Sequence, residues 1–238
     1  MVLLNWQRSY SASVKLPRSS LEAPNVKQQP HSHRRVRVFY FSCTMSPMRV
    51  ITFDIETKNI FQDVGSNDPT ALDISVVGIH DSATNEFSSY LEKDFGKLWQ
   101  ILEQSDALVT WNGDHLDIPL LNEYYPGDLT KIKSIDLMRE VQLVLGRRLK
   151  LDTVGEATLQ RNKSGHGLDA IEWWRNGEVD KVIKYCIEDV RLTRDLYDYA
   201  LKNKHLKYKE LGAIKDVKLN TAEWEQPAQH AMTFTLPF

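Results

Sequence analysis

One segment, Val50-Ile-Thr-Phe-Asp54-Ile-Glu56-Thr57, constrains this chain more than any other. Arg49–Phe53 forms a run suited to a strand in the middle of a sheet, covered on both faces. Two acids follow it with a single residue between them. Side chains alternate along a strand, so Asp54 and Glu56 point the same way. Carboxylates this close repel unless a cation sits between them. An α/β sheet keeps such a place open at the carboxyl ends of its strands. Taken alone, the pair also fits an ordinary strand end with solvated acids.

The pattern after Arg49 is regular. Asp73–His80 and Glu86–Leu91 are rich in strand formers and flank a turn with Asp81, Ser82 and Asn85, which predicts an antiparallel hairpin. Phe95, Leu98, Trp99 and Leu102 have helical spacing within Phe95–Gln104. Ala107–Trp111 reads as a second buried strand, followed by a helix from about His115 to Tyr125. Lys131–Asp136 reads as a short strand and Leu137–Leu145 as a helix stopped by Gly146. Helices over Asp152–Leu159, Leu168–Arg175 and Val179–Lys202 complete the order. This succession predicts an α/β fold, a mixed sheet flanked by helices. Strand-like pieces recur at Lys207–Leu211 and Asp216–Leu219.

Charge divides the chain. Residues 1–47 carry seven Lys/Arg and one acid, Glu22, while residues 48–238 carry 23 basic and 31 acidic residues. The first part has no sustained periodicity and reads as disordered. Three further readings stay open for it: an organelle transit segment, a basic tether for nucleic acid, and translation starting at Met45 or Met48. The domain division expected is 1–47 extension, 48–206 folded domain, 207–238 C-terminal extension. No stretch approaches the ~20 apolar residues of a membrane helix, so no membrane partner is expected. Cys43 and Cys186 lack metal-ligand spacing, which fits free thiols in a reducing compartment such as the cytoplasm.

Two further stretches bring acids to strand and helix ends. In Trp111-Asn112-Gly113-Asp114-His115-Leu116-Asp117-Ile-Pro119 the strand breaks at Asn112-Gly113, and Asp117 falls in the first turn of the next helix. A carboxylate there is favoured by the helix dipole in any case. Asp114, preceding the helical run, is the expected cap, which leaves Asp117 for another role. On Val179–Lys202, Tyr185 and Asp189 are four residues apart and stack on one helix face. A hydrogen-bonded Tyr–Asp pair is the plain alternative.

Order, element type and spacing agree across all three stretches, and here the chain resembles the DEDD superfamily of 3′–5′ exonucleases, which have a ribonuclease H-like fold with a five-stranded mixed sheet. Phe-Asp54-Ile-Glu56-Thr57 resembles the first motif. Asn112-Gly113-x-x-x-Asp117-x-Pro119 resembles the second, especially as in family-B DNA polymerase exonuclease domains and small relatives of unknown role. Tyr185-x-x-x-Asp189 resembles the third motif of the Tyr subgroup; a His subgroup member would carry His where this chain has Lys184. Leu116 departs from the pattern, where relatives usually have Phe. The resemblance covers roughly residues 49–203.

It implies a metal-dependent 3′–5′ exonuclease using two divalent ions, Mg²⁺ or Mn²⁺. Asp54 would touch both ions, Glu56 and Asp189 would complete one site, and Asp117 would support the other through water. Tyr185 would orient the attacking water; with an ordinary pKa near ~10 it is a better positioner than a base. Asn112, Thr57, Trp111 and His115 would contact substrate, with Trp111 equally suited to the core at a strand end. The substrate would be the 3′ end of single-stranded DNA or RNA. An acidic body suits local contacts to a strand end better than a broad grip on duplex DNA. A polymerase, helicase or sliding clamp would act in trans.

Arg147, Arg148, Lys150, Arg161 and Lys163 could hold phosphates or form a solvated face, and His166 between Gly165 and Gly167 could face substrate. Gln229-x-x-Met232-x-Phe234 loosely resembles a clamp-binding peptide; a tail packed on its own domain is the plainer reading. A haloacid-dehalogenase-like phosphatase fits poorly, because it wants Asp at position 56 and leaves Tyr185 and Asp189 unexplained. A non-catalytic nucleic-acid-binding module on the same fold is the remaining alternative, and it usually comes with lost acids.

Overall fold

Strand β1 (Val50–Thr57) is the middle of a five-stranded mixed sheet. The computed structural model describes residues 47–161 and 167–226. The expectations for residues 1–46, Lys163, Gly165, His166 and Gln229–Phe238 lie outside them. β2 (Ile74–Asp81) runs antiparallel to β1, and β3 (Glu86–Tyr90) antiparallel to β2. On the other side, β4 (Ala107–Thr110) and β5 (Lys133–Asp136) run parallel to β1, giving the order β3-β2-β1-β4-β5. The mixed sheet flanked by helices is as expected.

The helices are α1 (Phe61–Val64), α2 (Phe95–Leu102), α3 (Asp117–Tyr124), α4 (Leu137–Leu145), α5 (Leu151–Leu159), α6 (Gly167–Arg175) and α7 (Val179–Asn203). β1 carries Asp54 and Glu56 at its carboxyl end, as expected, because Ile55 is itself a core residue and keeps the alternation going. One difference from expectation bears on the site. α3 begins at Asp117, two residues late, because residues 113–116 are taken up by a turn in which the N–H groups of His115 and Leu116 donate to the Asn112 carbonyl.

Alternation divides the two layers. Ile51, Phe53 and Ile55 join Phe95, Leu98 and Leu102 of α2 and Ile118, Leu120 and Leu121 of α3 in one core. Full burial of side chains of this size contributes about 1.5–3 kcal/mol each. Thr52, Asp54 and Glu56 therefore face the other layer, where α7 lies against β1 and β2 and α6 touches β1. Along α7, Val182, Cys186, Val190, Leu196 and Ala200 are buried at helical spacing. That layer needs the sheet and helix to approach closely. At Gly78, across from Asp54 on β2, a Cβ would lie 2.8 Å from the Cys186 Sγ.

The two late strand-like pieces form a hairpin of β6 (His205–Glu210) and β7 (Ala213–Lys218). Leu211 and Gly212 in the turn both have positive φ, 49° and 81°, as a tight two-residue hairpin requires. Leu206, Val217, Leu219 and Trp224 share a core with Leu196, Tyr197 and Ala200 of α7. Among the described residues, no helix is long and apolar enough to cross a membrane.

Candidate metal centre

Asp54 and Glu56 enter from β1, and Asp189 enters from the middle of α7. Each offers a carboxylate oxygen, and these oxygens all lie within 4.8 Å of one another. Glu56 is 9% and Asp189 6% exposed. At that separation and an effective dielectric near 20, each pair of charges repels by about 3–4 kcal/mol. Three hard oxygen donors, largely withdrawn from water, fit a divalent cation such as Mg²⁺ or Mn²⁺ better than a soft metal. The three acids come from sequence positions 135 residues apart at the extremes, and only the packing of α7 on β1 brings them together.

Asp117 is close by but stands outside that group of three. It is 3% exposed, at the first position of α3, and accepts a hydrogen bond from the Ile55 backbone N–H at 3.1 Å. That N–H lies between the two acids of β1, so the strand itself anchors the fourth. Burial pushes the Asp117 carboxyl up to about 7, and the negative charge of Asp136 adds to this; backbone N–H groups oppose it.

Tyr185 is buried one helical turn before Asp189, and Trp173 of α6 meets its ring edge-on with centroids 5.9 Å apart. Cys186 is fully buried against the back of the site. Its Sγ lies 3.4 Å from the Asp54 carbonyl oxygen and 3.9 Å from Asp54 Oδ2. Burial, then the charges of Asp54, Glu56 and Asp189, push the thiol well above its ordinary pKa, so it is a neutral donor. Composition shows only that a free cysteine exists. The spacing Tyr185-Cys186-x-x-Asp189 on one helix is the signal that places it here.

The substrate-contact candidates occupy varied positions. Asn112 has φ 72°, and its Oδ1 is buried without a hydrogen-bond partner. Gly113 follows because a Cβ there would overlap Thr110, whose hydroxyl its N–H approaches at 3.2 Å. His115 is exposed. Trp111 packs against the core, and its indole N–H points to the Leu149 carbonyl at 3.3 Å. The Thr57 hydroxyl donates to the Asn59 carbonyl at 2.8 Å and closes the turn after β1.

Asp114 is not the cap of α3. It accepts from the Ser134 hydroxyl at 2.5 Å and pairs with Arg139 at 2.8 Å, because the helix starts too late for its side chain to reach the first turn. The residue that orders this loop is Asp136, which the sequence reading passed over. Buried at the end of β5, it accepts from the backbone N–H groups of Asn112 (2.8 Å), Asp114 (3.2 Å), Met138 (3.0 Å) and Arg139 (3.2 Å). It caps α4 and fixes the loop leading to Asp117 at once. An Asp directly before a helical run was the available signal. Of the basic residues, Arg147 pairs with Glu210 at 2.5 Å and Arg161 with Asp195.

A model of the RNase_H superfamily matches residues 51–201. That span contains every acid of the site, and the superfamily points to nuclease-type chemistry. No curated protein matches the chain. Among solved structures it is similar to the family B DNA polymerase from the hyperthermophilic archaeon Pyrobaculum calidifontis, with a TM-score of 0.51 and 19% sequence identity. The likeness covers 66% of this chain and 25% of the polymerase, so this chain spans about a quarter of that protein's length. At this identity the likeness concerns the fold.

Proposed function

Proceeding from the RNase_H superfamily, to which this chain belongs, we propose that it is a 3′–5′ exonuclease of the Tyr subgroup of DEDD enzymes. In this reading it removes nucleotides from single-stranded DNA or RNA with two divalent ions, Mg²⁺ or Mn²⁺. The observation that carries it is the convergence of Asp54, Glu56 and Asp189 within 4.8 Å. Those three would hold one ion, and Asp117, anchored on the Ile55 N–H, would support the second. Ions held by these residues would lower the pKa of water and neutralise charge gathering on the phosphate.

The chain's own residues do the rest. Tyr185, gripped by Trp173 and stacked on Asp189 along α7, orients the attacking water. Cys186 keeps water from the back of Asp54 and donates to it without adding charge. Asn112 offers its unmatched amide oxygen to the terminal nucleotide. The excess of acids over bases in residues 48–238 favours a substrate held at its end. A polymerase, helicase or sliding clamp acting in trans belongs to the same proposal.

The test is digestion of end-labelled single-stranded DNA and RNA with Mn²⁺, comparing wild type with Asp54→Ala and Tyr185→Phe. Wild type should release mononucleotides from the 3′ end. Asp54→Ala should release none while keeping its circular dichroism spectrum, and Tyr185→Phe should turn over slowly while binding metal normally. A wild-type protein that binds Mn²⁺ but cleaves neither strand would point instead to a non-catalytic module.

A further inference from the structure

Beyond Glu56 the sheet carries an irregularity. β1 and β2 are in register from Ile51 to Glu56, which faces Val76, and then slip so that Thr57 faces Ile74. Ser75 is the extra residue of this bulge. Bulges re-aim side chains and are frequent beside active sites. Ser75 is 1% exposed, and its hydroxyl has no hydrogen-bond partner, a costly state for a buried polar group.

Ser75 forms part of the wall of a hollow of about 510 Å³, within the range of clefts that take small ligands. Trp174 of α6 forms another wall, and Leu91 and Ile74 add apolar surface. Lys58 and Lys93 bring two positive charges to the lining and Glu92 one negative charge. Lys58 Nζ sits 5.9 Å from the centroid of the Trp174 ring and 3.1 Å from Glu92. That ion pair is exposed, so it is weak and readily opened. Along the chain the residues of the hollow neighbour those of the acidic site: Lys58 is two residues beyond Glu56, and Trp174 follows Trp173, whose ring meets that of Tyr185 edge-on.

An indole face and two ammonium groups are parts that recognise one nucleotide of a single strand: the indole stacks a base of any identity, and the lysines meet its phosphate. Resting on the exonuclease reading above, we infer that this hollow is a subsite for a nucleotide flanking the bond to be cleaved. Trp174 is its stacking platform, and Lys58 and Lys93 are its phosphate contacts.

The test measures kcat and KM for Mn²⁺-dependent nucleotide release from a short strand, and from three strands each lacking one base at the first, second or third position from the 3′ end. Trp174→Ala should raise KM about 5- to 140-fold, the value of one lost base stack, and act little on kcat. Trp174→Phe should recover most of the loss. On one of the three abasic strands, wild type and Trp174→Ala should have the same KM, because the stacking partner is already gone. The inference is overturned if Trp174→Ala matches wild type, or if its loss is equal on all three abasic strands. A wild type that cleaves nothing overturns the exonuclease reading and the subsite with it, an outcome distinct from an active wild type that Trp174→Ala equals.

Discussion

Replacing Gly78 by alanine tests how tightly the metal centre depends on the contact between α7 and the sheet. Gly78 has an ordinary strand conformation, so backbone preference favours the change. Glycine in a strand interior costs roughly 0.5–1 kcal/mol relative to alanine. Space opposes it. The new Cβ would lie 2.8 Å from Cys186 Sγ, 3.2 Å from Val190 Cγ2 and 3.4 Å from Ile187 Cδ1. Ordinary contacts between such atoms are about 3.5–4.0 Å. Cys186 has nowhere to retreat, because its sulfur already rests 3.4 Å from the Asp54 carbonyl oxygen. Overpacking of this kind costs typically 1–3 kcal/mol. Gly78→Ala should therefore destabilise the protein by up to about 2.5 kcal/mol, against the gain that backbone preference alone would give.

The sharper quantity is a coupling energy. Cys186→Ala removes one buried sulfur, a loss on the order of 1 kcal/mol. In the double variant the alanine methyl at position 78 occupies the vacated space, so the two changes should relieve each other by about 1–2 kcal/mol. Urea unfolding in EDTA, followed by tryptophan fluorescence, gives all four stabilities. The same cycle has a functional reading, because α7 carries both Tyr185 and Asp189. A helix pushed off the sheet takes Asp189 away from Asp54, so Mn²⁺ affinity should fall in Gly78→Ala and return in the double variant. Stabilities that add within about 0.5 kcal/mol, or a Gly78→Ala protein more stable than wild type, would refute the reasoning.

Three other outcomes follow from the same geometry. Saturating Mn²⁺ at a hundred times its Kd should stabilise wild type by about 2.7 kcal/mol, a rise in Tm of roughly 5–10 °C for a chain of this size; Asp54→Asn should abolish that rise in a thermal scan. Asp136→Ala strands four buried or half-buried backbone N–H groups and should cost about 2–4 kcal/mol by urea unfolding, with a loss under ~1 kcal/mol speaking against Asp136 as the organiser of the loop. Burial alone would raise the Asp81 carboxyl, but hydrogen bonds from Arg49 at 2.6 and 3.1 Å and from the Ala83 N–H outweigh it and hold it below the usual range. A depressed carboxylate pKa contributes stability that is present above the unfolded value of about 3.9 and is lost as pH falls through the folded value. Asp81→Asn should therefore flatten the acid limb of the stability–pH curve, and an unchanged limb counts against the clamp.

What could be read from the sequence was whatever a period or a local cap dictates. Ile51, Phe53 and Ile55 alternate with Thr52, Asp54 and Glu56, and that rhythm alone assigns the acids to one face. Tyr185 and Asp189 are one turn apart on a long amphipathic helix, which makes their shared face certain once the helix is recognised. Gly146 stops α4 where its freedom to adopt φ 70° predicts a stop. The tertiary approaches were not legible. Nothing local announces that Gly78 must be bare because Cys186 arrives from more than a hundred residues away, or that Ser75 is an extra residue between two registers. Asp114 was mistaken for a cap because capping rules weigh position in the chain. They cannot see Ser134 and Arg139 competing for the same carboxylate.

The four acids that look alike in sequence divide in space, and the division has a physical cause. Asp54, Glu56 and Asp189 face one another across the gap between β1 and α7, where three like charges press together and a cation would relieve them. Asp117 arrives from the helix that covers the opposite face of the sheet, so it can meet the group only at the strand's end. It does so by taking the Ile55 N–H, a backbone group held in place by the same alternation that aims Asp54 and Glu56. A one-residue slip of β1 would therefore turn Asp54 and Glu56 into the α2–α3 core and withdraw the anchor of Asp117 together. The core contacts of Ile51, Phe53 and Ile55, which resist that slip, are thus as necessary to the candidate metal centre as the carboxylates.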